Sequence, residues 1–275
     1  MCIRDRLYRA LDEPRREFHA LLMVSVHCMT LHDRDGAQAA SDQARALLRP
    51  EWEPEMQVRM LRNLDFLARW DERTPEALKF SEEAVQISVT SGDWRLEVMQ
   101  RTYHCELLWL AAPLDEAAHA FGELARAVHR RPVADADMMI LLTMRTWLLS
   151  EAGRMDEALA AALEALPYMG RNRMYSLSGS VHLLWRLGQL RVAAQLLGAL
   201  EDRDRRKLEL HLVNEDRLLA EARTALAEQL SAEDIALEKQ AGARLGTAQV
   251  HALVASTLTA MRDAVPGPVS PHAAP

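Results

Sequence analysis

The sequence predicts an all-α protein. About five helix pairs stack as an α-solenoid over residues 7–204, and a helical cap over 205–263 closes it. Three observations lead there. A small residue opens a helix after a break at Ala37, Ala77, Ala117, Ala158 and Ala193, at intervals of 40, 40, 41 and 35 (77−37, 117−77, 158−117, 193−158). The phase persists four residues on (Ser41, Ser81, Phe121, Ala162, Leu197) and seven residues on (Ala44, Ala84, Leu124, Ala165, Leu200). Hydrophobic residues make up 49% of the chain but aromatic ones only 5%, so alanine and leucine must build the core, as suits helix on helix. An irregular bundle of alanine-rich helices is the rival, and it does not require a preserved phase.

The fourth pair is the clearest. Leu148 to Leu166 reads as a helix end, a turn at Gly153 and a new helix with Asp156 and Glu157 in its first turn, where negative charge suits the N-terminal dipole. The first pair is a long helix over 13–31, a turn at 33–36 and a second helix to about 48, stopped by Pro50. The second pair covers 53–70 and 74–89, with Pro54 in the first turn of one helix and Thr74-Pro75 opening the other. The third covers 94–111 and 114–130, the fourth 135–152 and 155–168, and the fifth 174–187 and 190–201. A charge run, 201–207, follows. Helices over 208–229, 231–241 and 247–263 form the cap, with Ser231 as an N-cap ahead of Glu233 and Asp234. The tail 264–275 is proline-rich and expected to be disordered.

Residues 153–166, GRMDEALAAALEAL, resemble the second half of a tetratricopeptide repeat, and Leu187-Gly188-Gln189-Leu190 with Ala193 resembles another copy. That family repeats every 34 residues or so. Longer periods of about 40 are similar to the degenerate repeats of MalT-like bacterial signal-transduction NTPases and transcriptional regulators. The segment 222–226, then 240–245 and 248–250, is similar to the end of such regulators, although Gly246 stands where they often carry Ser or Thr. The resemblance implies a right-handed superhelix whose first helices line a concave groove. It further implies the C-terminal sensor region of a larger protein. Residues 1–6, MCIRDR, read as translated sequencing adapter, which places the native start upstream.

Chemistry is sparse. The net charge of −7 argues against general binding of nucleic acid or anionic membrane. Cys2, Cys28 and Cys105 form no C-x-x-C motif, which suits a reduced cytoplasmic setting in which the cysteines remain thiols. There is no P-loop, G-x-S-x-G, H-E-x-x-H or kinase motif, so no catalytic residue, metal ligand or cofactor site is assigned.

Transferring the family's groove positions gives Arg59, Arg62, Arg69, Trp109, Trp147, Tyr175, His182, Trp185 and Arg186 as partner-binding candidates, with Glu106 and Thr143 beside them. Arginine and tryptophan are common interface anchors. The expected function is a non-enzymatic interaction and sensor module that docks a protein or peptide segment. The protein's own upstream NTPase domain is one such segment. A stand-alone scaffold and an α/α enzyme are the alternatives, and the enzyme lacks converging acid–base residues.

Overall fold

The computed structural model describes residues 13–169, 175–204 and 213–264. The adapter-like residues 1–6, residues 205–207 of the charge run and the tail from 265 lie outside them. Thirteen helices and no strand occur among the described residues. In chain order they are α1 (Pro14–Thr30), α2 (Arg34–Leu47), α3 (Pro54–Trp70), α4 (Thr74–Ser91), α5 (Trp94–Ala111), α6 (Leu114–Arg130), α7 (Asp135–Glu151), α8 (Met155–Met169), α9 (Tyr175–Arg186), α10 (Leu190–Asp204), α11 (Val213–Gln229), α12 (Ala232–Ala243) and α13 (Thr247–Ala264).

The starts follow from local chemistry. Pro14 and Pro54 open their helices at positions where the absent N–H costs nothing. Asp33, Asp93 and Ser231 accept hydrogen bonds from the backbone N–H groups of Gly36 (2.9 Å), Leu96 (3.1 Å) and Asp234 (3.0 Å). Thr74 is not a cap: it is the first helical residue, and Arg73 precedes it without a side-chain bond. The second helix starts at Arg34, three residues before its reference alanine, as α4, α6, α8 and α10 do.

One turn joins the two helices of four pairs. His32, Glu72, Gly153 and Gly188 each stand five residues before a reference alanine, with φ of 56°, 59°, 73° and 75°. Each donates its N–H three residues back, to the carbonyls of Met29, Arg69, Ser150 and Trp185, at 2.9–3.1 Å. The next residue donates five back, to Cys28, Ala68, Leu149 and Leu184, at 2.8–2.9 Å. This is the two-bond closure of a left-handed helix terminus. Ala112 breaks the series with φ of −124° because Pro113 follows, and a residue before proline is held in extended backbone.

The chain divides into two compact units, with the break between Val133 and Ala134. In the first, α1 packs on α2, α3 on α4 and α5 on α6, while α2–α3 and α4–α5 contacts join successive pairs. Leu67 of α3 shares a core cluster with Ala37 of α2, and Leu107 of α5 shares one with Ala77 of α4. Leucine thus seats on the side-chain-poor stripe of the preceding helix, where close approach gains dispersion and burial.

In the second unit α7 packs on α8 and α9 on α10, with α9 also against α7. The boundary drawn from sequence at 204/205 falls inside this unit, because α11 packs on α9, α12 on α10 and α13 on α8. The α10–α12 crossing is very close. A Cβ on Gly198 would lie 2.1 Å from the Lys239 carbonyl oxygen, and one on Gly242 would lie 1.8 Å from that of Gln195. Arg191, bonded to Glu238 (2.9 Å) and Asp234 (3.0 Å), spans the same crossing. His251 Nε2 lies 3.0 Å from the Leu166 carbonyl oxygen and ties α13 to the end of α8.

Candidate functional site

The sequence candidates fall in both units. In the first, Arg59 is exposed and bound to Glu55 one turn back on its own helix (Nη2–Oε1 2.6 Å). Its charge is spent at the surface, where such a pair contributes little. Arg69 is a correction to the groove reading, because its side chain is 5% exposed. It bonds Asp65 through two nitrogens (2.8 and 2.7 Å) and Glu106 at 3.0 Å. Burial pushes the Asp65 carboxyl up, and Arg69 opposes that rise. Burial likewise works against the Arg69 charge, but Glu106 and Asp65 outweigh it and hold the guanidinium protonated. The cluster locks α3 to α5. Trp109, 5% exposed, belongs to the core rather than to an open surface.

Arg62 is different. It is half-buried and forms no ion pair among the described residues. Its guanidinium carbon lies 3.7 Å from the ring centroid of Tyr103 and 5.5 Å from that of Phe66. Nη1 touches Met99 Sδ at 3.9 Å. The cation therefore lies over an aromatic face across two successive first helices, a contact worth about 0.5–2 kcal/mol. Such a fork is preorganised to receive a carboxylate or carbonyl oxygen. Tyr103, Phe66 and Met99 are absent from the sequence-derived set. Their signal was available, since Arg62 lies 15 positions before Ala77 and Tyr103 lies 14 before Ala117.

In the second unit burial removes two more candidates from any open surface. Trp147 is 1% exposed and His182 is fully buried. Twelve of the seventeen residues of α7 are buried, Trp147 and both its neighbours among them. Trp185 is half-buried, edge-on to His182 at 5.2 Å and beneath the exposed Arg186, whose guanidinium carbon is 5.7 Å from the ring. The Tyr175 side chain lies outside the described residues.

His182 has one chemically suggestive neighbour. Ser150 Oγ is 3.0 Å from Nδ1, and Glu221 Oε2 is 3.6 Å from Nε2. Serine, histidine and carboxylate in that order resemble an acyl-transfer relay in composition. The surroundings deny the chemistry: Ser150 and His182 are wholly buried, so no substrate carbonyl can reach Oγ. Burial, reinforced by Arg186, pulls the imidazole down to about 4. The neutral ring and the Ser150 hydroxyl share one hydrogen bond between Nδ1 and Oγ, which ties α7 to α9.

Among the described residues no three His, Cys, Asp or Glu side chains converge to hold a metal ion, and no helix is long and apolar enough to cross a membrane. No protein-family model matches the chain, and no curated protein matches it.

Proposed function

We propose that this chain is a helical-repeat interaction module. In this reading its helix pairs form a right-handed, tetratricopeptide-like α-solenoid, and it acts by docking a protein segment on its first-helix face. The observation that carries the reading is the recurrence of one turn at four pair junctions, with the same φ region and the same two hydrogen bonds. Repeated geometry at a fixed offset from a repeated alanine is the mark of stacked units, each burying its neighbour's face.

Within that face the docking point is Arg62 on Tyr103, flanked by Phe66 and Met99. The stack supplies a flat apolar surface and an unpaired cation, so the segment it suits is extended or helical and carries a carboxylate beside an apolar side chain. The module performs no chemistry of its own. It serves as the sensor part of a cytoplasmic bacterial signalling ATPase or transcriptional regulator, and occupancy shifts the activity of a domain elsewhere in that protein. A photoreactive amino acid placed at Tyr103 should cross-link one discrete protein segment in cells, whereas the same group at exposed Glu83 on α4 should not. Equal cross-linking at both positions would dismiss the docking point.

A further inference from the structure

Beside Arg62 lies a buried charge cluster that is one cation short. Asp65 and Glu106 are 2% and 0% exposed. Between them stands one guanidinium, Arg69, which meets Asp65 at 2.8 and 2.7 Å and Glu106 at 3.0 Å. With every group ionised the three side chains carry one negative charge in excess, held where water screens it poorly. Glu106 Oε1 is the uncompensated end, since it is buried and accepts no hydrogen bond among the described residues. A charged oxygen left in that state is costly.

The missing charge comes from through-space neighbours. Arg62 stands three residues before Asp65 on α3, and His104 two before Glu106 on α5. Burial raises the Asp65 carboxyl; the Arg69 bonds lower it, and so do Arg62 and His104 through space. His104 lends little at neutral pH. Its Nδ1 lies 3.2 Å from Ser81 Oγ on α4, and burial pulls the ring down although Glu82 and Asp65 push the other way. Arg62, a guanidinium and so a fixed charge, is the neighbour that favours ionised carboxylates here. It is also the group that a docking carboxylate neutralises.

We propose that a partner carboxylate docking on Arg62 drives a proton from water onto the Asp65–Glu106 pair, so that docking tightens as the pH falls. The coupling rests on the Arg62 docking point described above. A negative charge on Arg62 cancels the field that favours the ionised pair, so the pair holds a proton more tightly in the docked state than in the free one. The effect is reciprocal: the protonated pair holds the carboxylate more tightly. Affinity is flat above the docked-state midpoint, rises as pH falls toward the free-state midpoint and is flat again below it. The window lies above the 3.8 of an ordinary aspartate, because burial already lifts Asp65.

Carbon-13 NMR of the Asp65 and Glu106 carboxyls across a pH series tests this in the full chain. Arg62→Gln removes the charge that a docked carboxylate cancels. It should raise the proton affinity of the pair by about tenfold, or about one pH unit. Arg62→Lys keeps the charge and should hold the parent midpoint. An unchanged midpoint in Arg62→Gln overturns the proposal. So does an equal rise in Arg62→Lys, because packing would then be the cause, and so does a proton that settles on the His104 ring while both carboxyls stay ionised. The peptide acetyl-Leu-Glu-Leu-amide separates the coupling from the docking reading. If it shifts the Arg62 guanidinium signals and leaves the carboxyl midpoint in place, the coupling fails and docking stands. If Arg62 does not respond to it while Arg62→Gln still raises the midpoint, the docking point fails and takes the coupled step with it.

Discussion

Two helical glycines should respond to alanine with opposite signs. Glycine inside a helix costs about 0.5–1 kcal/mol relative to alanine, so Gly→Ala ordinarily stabilises. Gly122 in α6 meets this condition, because a Cβ there would find only the tip of Arg126, at 3.9 Å. Gly122→Ala should therefore stabilise by about 0.5–1 kcal/mol. Gly242 in α12 faces backbone instead. Its Cβ would stand 1.8 Å from the Gln195 carbonyl oxygen, so α12 must retreat by about 1.6 Å to reach ordinary contact at 3.4 Å. A main chain cannot rotate aside as a side chain can. The retreat also strains the Arg191–Glu238 bond and the Lys239–Glu201 ion pair. Overpacking costs about 1–3 kcal/mol at ordinary core sites. Here it is set against a propensity gain of about 1 kcal/mol, so the net expectation is a loss of up to about 2 kcal/mol, equivalent to up to about 8 °C in melting temperature for a chain of this size. Calorimetry on the parent and both variants reads the two signs directly. A Gly242→Ala protein that melts above the parent, like Gly122→Ala, would refute the close crossing.

Three further outcomes follow from burial. Trp147→Ala should lower stability by about 3–5 kcal/mol in chemical denaturation, as deletion of a buried tryptophan does; a loss below about 1 kcal/mol would return Trp147 to the surface. Burial pushes the Cys105 thiol up to about 12, so iodoacetamide should label half-exposed Cys28 in the native protein and Cys105 only after denaturation. His182 is held at about 4 in the folded chain against 6.5 when free. Above pH 6.5 the ring is neutral in both states and costs nothing. As pH falls from 6.5 toward 4 the unfolded chain takes the proton first, and the folded state loses about 2–3 kcal/mol. His182→Gln should remove that much of the stability difference between pH 7.5 and pH 4.5, and identical pH dependence in the two proteins would contradict the burial.

The helices were legible because their signals are local. Proline at Pro14 and Pro54, an acidic or serine cap at Asp33, Asp93 and Ser231, and an in-phase alanine each act within one turn. The recurring turn was legible only in part. Glycine announces it at Gly153 and Gly188, but His32 and Glu72 adopt the same left-handed backbone with no sequence mark. The candidate site was harder to read, since burial depends on neighbours far along the chain. Tryptophan and arginine look alike on paper whether they face solvent or a second helix. Arg69 became a structural tie because Asp65 lies one turn back and Glu106 lies on the next first helix. Arg62, seven residues earlier, feels the same Asp65 only through space, forms no ion pair with it, and stacks on Tyr103 instead. The close α10–α12 crossing gave no periodic signal, since Gly198 and Gly242 are far apart in sequence and meaningful only as a pair.

In the proposed function Arg62 on Tyr103 receives a protein segment, while the buried Arg69, Trp109 and Trp147 hold the fold. Titration calorimetry of the segment cross-linked at Tyr103, against the parent and Arg62→Ala, tests it most directly when paired with melting curves. Affinity should fall by about tenfold or more, the loss of about 1.4 kcal/mol or more that marks an interface anchor, while the melting temperature drops by no more than the roughly 1–8 °C that loss of the Arg62–Tyr103 stack accounts for. Unchanged affinity in a normally folded Arg62→Ala protein would contradict it.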